Sequence, residues 1–334
     1  MKIAVVGATG LVGREMLTVL AERGFGSAEV VAAASVRSVG TKLPFAGREL
    51  EVVGVDEAIA ARPQYAIFSA GAEASREYAP RFAEAGSTVI DNSSAWRKDA
   101  GVPLVVPEVN LAAVKPTDRI IANPNCSTIQ MVLALSALER EYGLRRPVGA
   151  TYQRITGTGL KAVRQLEAEE RDAAGEQAVE VPRAYPYPIH RNLFPHGGDF
   201  QADGYTTEEQ KLVDETRKIF ADPAIAITAT VVRVPVVGGH SEAVNAELRR
   251  EFDLEHVRRL IASTPGVLLY DDPSALHYPM PILAHHRDEV WVGRLRRDLS
   301  QPQTLNLWVV ADNIRKGAAT NAIQIMQGLI ARQP

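Results

Sequence analysis

One cysteine occurs among the 334 residues, and its neighbours are of types that chemistry can use. Cys126 lies in Ile121-Ala-Asn-Pro-Asn-Cys-Ser-Thr128, after a predicted strand and before a predicted helix. A free thiol in a protein is most often a buried small hydrophobe. At a helix start, however, backbone N–H groups favour the thiolate, which is the nucleophilic form. Polar Asn125, Ser127 and Thr128 flank it. A thiol nucleophile also needs a proton acceptor, and His240 is the candidate. It closes Arg233-Val-Pro-Val-Val-Gly-Gly-His240, where an apolar strand and a glycine pair should leave the imidazole on a strand-end loop. The other six histidines, the His285-His286 pair included, have no such setting. No cluster has metal-ligand spacing, so no metal site is expected.

A second chemistry-bearing run stands at the N-terminus. Gly7-Ala8-Thr9-Gly10-Leu11-Val12-Gly13 follows a predicted strand and opens a predicted helix. Glycines let the backbone approach a pyrophosphate, and a helix N-terminus favours its charge, so the run predicts a bound dinucleotide. The alternative is a glycine turn kept only for close helix–strand packing. NAD binders usually carry an acidic residue at the end of the second strand, for the ribose 2′-OH. The stretch 30–48 has no Asp or Glu, and Ser35, Arg37 and Ser38 stand there instead. An arginine and two hydroxyls suit a 2′-phosphate, which favours NADP; a solvated surface charge is the other reading of Arg37.

These residues need elements to hold them. Strands are expected at Lys2–Val6, Glu29–Ala34, Tyr65–Ser69, Ser87–Ile90 and Arg119–Ala122, with helices at Leu11–Arg23 and Ala74–Ala85. Such alternation implies a parallel sheet covered on both faces. A helix over Thr128–Tyr142 follows, with Ile129, Val132, Leu133, Leu135 and Leu138 as its apolar stripe. Beyond it the pattern changes to longer strands at Val148–Ile155, Ala226–Val237, Ala243–Arg249, Val290–Leu295 and Leu305–Ala311. Helices fall at Leu160–Ala174, Thr207–Phe220, Leu254–Thr264 and Arg315–Ala331, and Val181–Ala202 reads as a long ordered loop. The expectation is a Rossmann-type α/β domain over 1–127 with 314–334. An α+β domain with a mixed sheet is expected over 128–313.

Composition agrees. Hydrophobic residues are 46% and charged residues 23%, ordinary for a globular chain. Lys+Arg 37 against Asp+Glu 40 gives a net charge of −3, with no basic excess for nucleic acid or an anionic membrane. A single cysteine excludes an intramolecular disulfide. No run of about 18 apolar residues is present, and the first residues do not read as a signal peptide. A soluble, cytoplasmic protein is expected.

The segments GATGLVG, ASVRSVGTKL, FSAG, DNSSAWR, VPEVN, ANPNCST, TYQ…TGTG, EEQK, RVPVVGGHSE and DNIRKGAATNA together resemble the aspartate-semialdehyde dehydrogenase family over nearly the whole chain. The resemblance implies an enzyme that uses NADPH to convert L-aspartyl 4-phosphate into L-aspartate 4-semialdehyde and phosphate. That step lies on the route to lysine, diaminopimelate, methionine, threonine and isoleucine. It also implies a homodimer, or in some members a tetramer. By position, Cys126 resembles the nucleophile, His240 the acid/base and Gln153 the residue that orients substrate near the thiol. Asn125 resembles a neighbour that shapes the oxyanion environment. Arg97 and Lys211 match two phosphate-binding cations, Arg233 the carboxylate-binding arginine and Glu208 the acid that meets the ammonium group. Gly157 and Asn313 match later cofactor contacts, beside Gly7, Thr9, Gly10, Leu11, Val12, Gly13, Ser35, Arg37 and Ser38. Arg154-Ile-Thr-Gly-Thr departs from the small residues that commonly follow TYQ, so Arg154 should alter packing or substrate preference.

The implied chemistry is coherent. A thiolate displaces phosphate from an acyl phosphate, and the thioester is then reduced by hydride. Glu208 and Lys211 also read as an ordinary solvated helix pair. The nearest rival is an N-acetyl-glutamyl-phosphate reductase, whose substrate nitrogen is uncharged and has no use for Glu208. A glyceraldehyde-phosphate-type dehydrogenase has no carboxylate for Arg233. A catalytically silent NADP-binding relative would not need Cys126 and His240.

Overall fold

The computed structural model describes residues 1–176 and 180–332. The chain divides into two compact units, Met1–Asn125 with Gly317–Pro334, and Cys126–Lys316. Gln333 and Pro334, which the expected first domain includes, lie outside the described residues.

In the first unit a six-stranded sheet runs Val53–Gly54, Glu29–Ala34, Lys2–Val6, Tyr65–Phe68, Thr88–Asp91, Ile120–Ala122 from edge to edge. All its pairings are parallel. Counted in chain order the strands stand 3-2-1-4-5-6, the doubly wound dinucleotide-binding arrangement. Strand pleating sends successive residues to opposite faces. Ile3 and Val5 therefore pack with Met16, Leu17, Ile323 and Met326 on one side. Ala4 and Val6 pack with Ala58, Phe68 and Phe82 on the other. Both faces are apolar because helices cover both. The C-terminal helix Thr320–Ile330 returns to this unit and completes one layer.

Three details differ from expectation. The first helix spans Leu11–Leu20 and widens into a turn over Ala21–Phe25, because Gly24 takes a φ of 88°. An antiparallel hairpin, Lys42–Phe45 with Arg48–Glu51, was not expected. It turns on Ala46 and Gly47, both at positive φ, and its strands are largely exposed, so the apolar signal is weak. The short elements Val53–Gly54 and Val55–Ala60 were missed as well.

The second unit is built on a mixed six-stranded sheet ordered Thr228–Val234, Leu144–Arg154, His240–Leu248, Thr304–Ala311, Val290–Arg297, Val267–Leu269. The two edge pairings are parallel and the inner three antiparallel. Helix Cys126–Tyr142 packs on one face. Every residue from Ser127 to Leu138 in it is buried. It is thus enclosed all round rather than apolar along one stripe, which is the pattern of a central helix. Helix Thr207–Phe220 begins at a capping box between Thr206 and Glu209. The long segment 181–202 carries no helix or strand, yet it is pinned. Gln165 Oε1 accepts from the amides of Ala184 and Tyr185, and Glu169 Oε2 from those of Ile189 and His190. Phe194 exchanges backbone hydrogen bonds with Arg233 and so covers the sheet edge. His240 is the first residue of a strand and fully buried. The expected strand-end loop ends one residue earlier.

Candidate active site

In the first unit a cavity of about 510 Å³ opens beyond the carboxyl ends of the strands, where the strand order reverses. Gly7, Thr9, Gly10 and Ser35 line it, as do Val36, Asp56, Ser69 and Tyr78. Two glycines explain the close approach. Gly7 has φ +86°, and a Cβ there would stand 2.3 Å from the Ser69 carbonyl oxygen; a Cβ at Gly13 would stand 2.1 Å from the Gly7 carbonyl oxygen. Gly13 thus fits the first helix against the strand. The amides of Leu11, Val12 and Gly13 precede the first hydrogen bond of the helix, which Arg14 donates to Gly10. Such amides suit an anion. The cavity and these donors fit a dinucleotide diphosphate. Leu11, Val12, Gly13, Arg37 and Ser38 do not line the cavity. Arg37 is exposed on the short turn Val36–Ser38 and has no ion-pair partner among the described residues. Asp56, an acid outside any motif of the sequence, is paired with Arg81 at 2.6 Å.

In the same unit Arg97 is buried. Its Nε donates to the Asn123 carbonyl and its Nη2 to the Asn92 carbonyl, both at 2.9 Å. Asn123 also bonds Asn92 and Asn321. This asparagine-rich brace fixes the backbone that runs through Pro124 to Asn125, itself buried.

In the second unit the sheet register gathers the remaining groups. Gln153 is level with Arg233 on the neighbouring parallel strand. The pairing of Ser241 with Tyr152 sets His240 beside Gln153 on the other side. Three side chains from three adjacent strands therefore share one face. Gln153 Nε2 donates to Ser127 Oγ at 2.8 Å, and its Oε1 accepts from Arg233 Nη1 at 2.6 Å. Through Ser127 the cluster is tied to the residue following Cys126, which opens its helix. Gly157 lies against the group: a Cβ there would stand 3.1 Å from Arg233 Nη1 and 3.5 Å from His240 Nε2. The missing side chain leaves space over both. Thr156 bonds Asn313, so the two later residues assigned to the cofactor lie close together.

His240 Nδ1 accepts the Arg154 backbone N–H at 3.0 Å. The neutral ring must then carry its proton on Nε2, which has no hydrogen-bond partner among the described residues. Burial first, and then the charge of Arg233, push its pKa down to about 3; Glu208 opposes this and Arg154 adds to it. The Gly-Gly turn before the ring is fixed sterically. A Cβ at Gly238 would stand 1.8 Å from the Pro281 carbonyl oxygen, and one at Gly239 would stand 2.1 Å from that of Ala311.

Glu208 and Lys211, expected on opposite ends of a substrate, pair with each other at 2.7 Å in the first turn of their helix. Glu208 is buried and Lys211 partly so, which is not the solvated face of the alternative reading. Side chains to which the sequence assigns no role also join the cluster. Ser127 holds Gln153, and Tyr185 donates to Thr158 beside Gly157. Glu242, two residues past His240, is fully buried with no well-formed hydrogen bond among the described residues; burial holds its carboxyl well above the usual range, and the nearby Gln130 amide only partly opposes this. Only the alternation of the strand could have placed it on the face of His240. His285, His286 and Asp312 bring possible ligand atoms within 4.8 Å of one another. Asp312 lies too far along the chain for spacing to show this, and its carboxylate already accepts from the amides of His286, Ile314 and Arg315.

Two family models match the chain: "Semialdehyde dehydrogenase, NAD binding domain" over residues 2–117 and "Semialdehyde dehydrogenase, dimerisation domain" over 135–316. The chain is 49% identical over 334 residues to an aspartate-semialdehyde dehydrogenase of Aquifex aeolicus, covering 98% of each chain. It is 46% identical to that of Legionella pneumophila, over 98% of this chain and 95% of the other. A crystal structure of aspartate semialdehyde dehydrogenase II from Vibrio cholerae, complexed with ASA, superposes with a TM-score of 0.94 at 43% identity, covering 100% of this chain and 99% of that one. With such identity across its whole length and both halves matched, the chain belongs to the aspartate-semialdehyde dehydrogenase family.

Proposed function

We propose that the protein is an NADPH-dependent aspartate-semialdehyde dehydrogenase. It converts L-aspartyl 4-phosphate to L-aspartate 4-semialdehyde and phosphate through a thioester on Cys126. The observation that carries this reading is the buried Arg233–Gln153–Ser127 chain, which ends beside a cysteine at a helix start. The Cys126 sulfur bonds to the acyl carbon, and the carbon–oxygen bond to phosphate breaks. When bound, NADPH supplies the hydride that reduces the thioester and frees the thiolate. Gly7, Thr9, Gly10 and the amides of Leu11, Val12 and Gly13 hold the diphosphate of the cofactor, with Ser35, Arg37 and Ser38 at the 2′-phosphate. Gly157 and Asn313 serve as its later contacts.

Arg233 takes the substrate carboxylate, for which a planar fork is well suited. Glu208 takes the ammonium, Arg97 and Lys211 the phosphate, and Asn125 the oxyanion side. His240 offers its Nε2 proton to the collapsing intermediate and takes one back in reverse. A carboxylate on Arg233 offsets one of the charges that hold the ring neutral, and an ammonium on Glu208 offsets the charge that opposes it.

The proposed dinucleotide domain is 1–127 with 314–334, and the catalytic and dimerisation domain 128–313. A half-open sheet face carrying Tyr152 and Trp308, whose rings lie 5.6 Å apart, supports a homodimer or a tetramer built from it. The chain would serve lysine, diaminopimelate, methionine, threonine and isoleucine synthesis in the cytoplasm. No helix among the described residues is long and apolar enough to cross a membrane.

The reverse reaction tests the reading: semialdehyde, phosphate and NADP⁺ should give reduced cofactor, and N-acetyl-glutamate semialdehyde should not. Cofactor choice is checked with Arg37→Ala, which should raise the KM for NADPH much more than that for NADH. Equal weakening would remove Arg37 from the 2′-phosphate.

A further inference from the structure

Arg154 ends the strand that carries Gln153 and touches the histidine site in two ways. Its backbone N–H binds His240 Nδ1 at 3.0 Å, and its Nη1 donates to the Gly238 carbonyl at 3.3 Å. Gly238 has φ +113° and sits hard against Pro281, so the carbonyl that Arg154 holds belongs to the turn that aims the ring. The guanidinium is partly buried and makes no ion pair among the described residues. The acid whose charge acts on it is Asp312, whose oxygens are already taken by three backbone amides. A partly desolvated cation without an ion pair must be held by hydrogen bonds, and the Gly238 carbonyl supplies one.

We propose that the Arg154 side chain is a positioning residue for His240, fixing through the Gly238 carbonyl the glycine turn that presents the neutral ring. This rests on the reading of His240 as the proton donor and acceptor of the site. The groups around the ring leave Arg154 a distinct part. Arg233 faces it from the edge strand, Glu208 from the helix Thr207–Phe220, and Asp312 follows the adjoining strand. Glu242 lies on its own strand, and Cys126 opens the helix that covers this face. Arg233 is bonded to Gln153, and its charge is offered to a ligand. Arg154 points its charge at a backbone carbonyl, so it remains beside the ring whether or not the site is filled. A positive charge opposes a second proton on the imidazole, and the amide on Nδ1 dictates where the first one sits.

The test is ¹⁵N NMR of histidine-labelled protein, ligand-free, from pH 5 to pH 8. The His240 resonance is assigned by its loss in His240→Asn. The parent protein should show one ring in the Nε2–H form throughout. Arg154→Met keeps the backbone N–H and with it the Nε2–H tautomer, but should displace the His240 ring resonances from the parent positions, with kcat reduced and cofactor affinity unchanged. Arg154→Lys should restore most of the parent spectrum. A Met variant whose His240 signals match the parent's overturns the proposal whatever its turnover. So does a Lys variant identical to Met, since the effect is then lost packing. If the signals change in Met while turnover and its pH profile do not, Arg154 positions the ring as proposed, and the reading of His240 as the acid/base falls instead.

Discussion

At the scale of single residues, the thiol and the guanidinium make the sharpest predictions. Cys126→Ala should abolish turnover while cofactor binding, followed by fluorescence, stays close to that of the parent. The cavity lined by Gly7, Thr9 and Ser35 contains no part of the helix that Cys126 opens. Cys126→Ser should keep at most a trace, because an alkoxide forms far less readily than a thiolate. Arg233→Lys keeps the charge but loses the planar fork and the bond to Gln153 Oε1. Its kcat/KM should fall more than tenfold, about 1.4 kcal/mol of lost transition-state stabilisation. Because Gln153 is thereby released from one of its two partners, kcat should fall as well as KM rise. An unchanged kcat/KM would make Arg233 a structural charge. The residue types here were legible in sequence: a polar-flanked cysteine, a histidine after two glycines, an arginine at a strand. Their assembly was not. Gln153 and Arg233 lie 80 residues apart, and only sheet register sets them level. Likewise the pairing of Glu208 with Lys211 follows from helix spacing, but their burial depends on what packs over that turn.

At the scale of elements, the glycine loop shows why some positions tolerate no side chain. A Cβ at Gly13 would meet backbone of Gly7 at 2.1 Å, whereas one at Gly10 would meet nothing nearer than 3.3 Å. Backbone cannot swing aside as a flexible side chain can. Gly13→Ala should therefore cost about 1–3 kcal/mol in urea unfolding, as overpacking does, and should weaken cofactor binding by displacing the amides of the first helix. Gly10→Ala should cost much less on both measures; equal effects would mean that the loop, rather than helix–strand contact, sets the limit. Elements were legible where burial is symmetrical or strictly one-sided. The parallel strands Lys2–Val6 and Glu29–Ala34 stood out as apolar runs because both faces are covered. The hairpin at Lys42–Phe45 and Arg48–Glu51 did not, since its exposed alternate residues are charged and Pro44 interrupts one strand. The helix Cys126–Tyr142 was found, but a stripe was expected where enclosure holds, because Ser127, Thr128, Gln130 and Ser136 are polar residues in a buried helix.

At the scale of the whole molecule, two buried titratable groups on one strand give folding a defined pH dependence. His240 has its pKa lowered from 6.5 to about 3, chiefly by burial. Its contribution is fully present above pH 6.5 and is lost as pH falls toward 3, because the unfolded chain takes up a proton that the folded chain refuses. Glu242 has its pKa raised well above 4.5, again by burial. Its contribution is fully present below pH 4.5 and is lost as pH rises, because the folded chain keeps a proton that the unfolded chain releases. The two contributions run in opposite directions: falling pH removes the histidine's and rising pH the glutamate's. Substitution separates them by difference, which removes the effect of every other titrating group. Urea unfolding at pH 4, 5.5 and 8 should show Glu242→Gln gaining on the parent as pH rises, most of all at pH 8. His240→Asn should gain as pH falls, most at pH 4. Each single variant should thus depart from the parent's pH dependence in the opposite direction to the other. If Glu242→Gln keeps a constant offset from the parent at all three values, Glu242 is ionised in the folded protein, and the buried neutral acid beside the histidine does not exist.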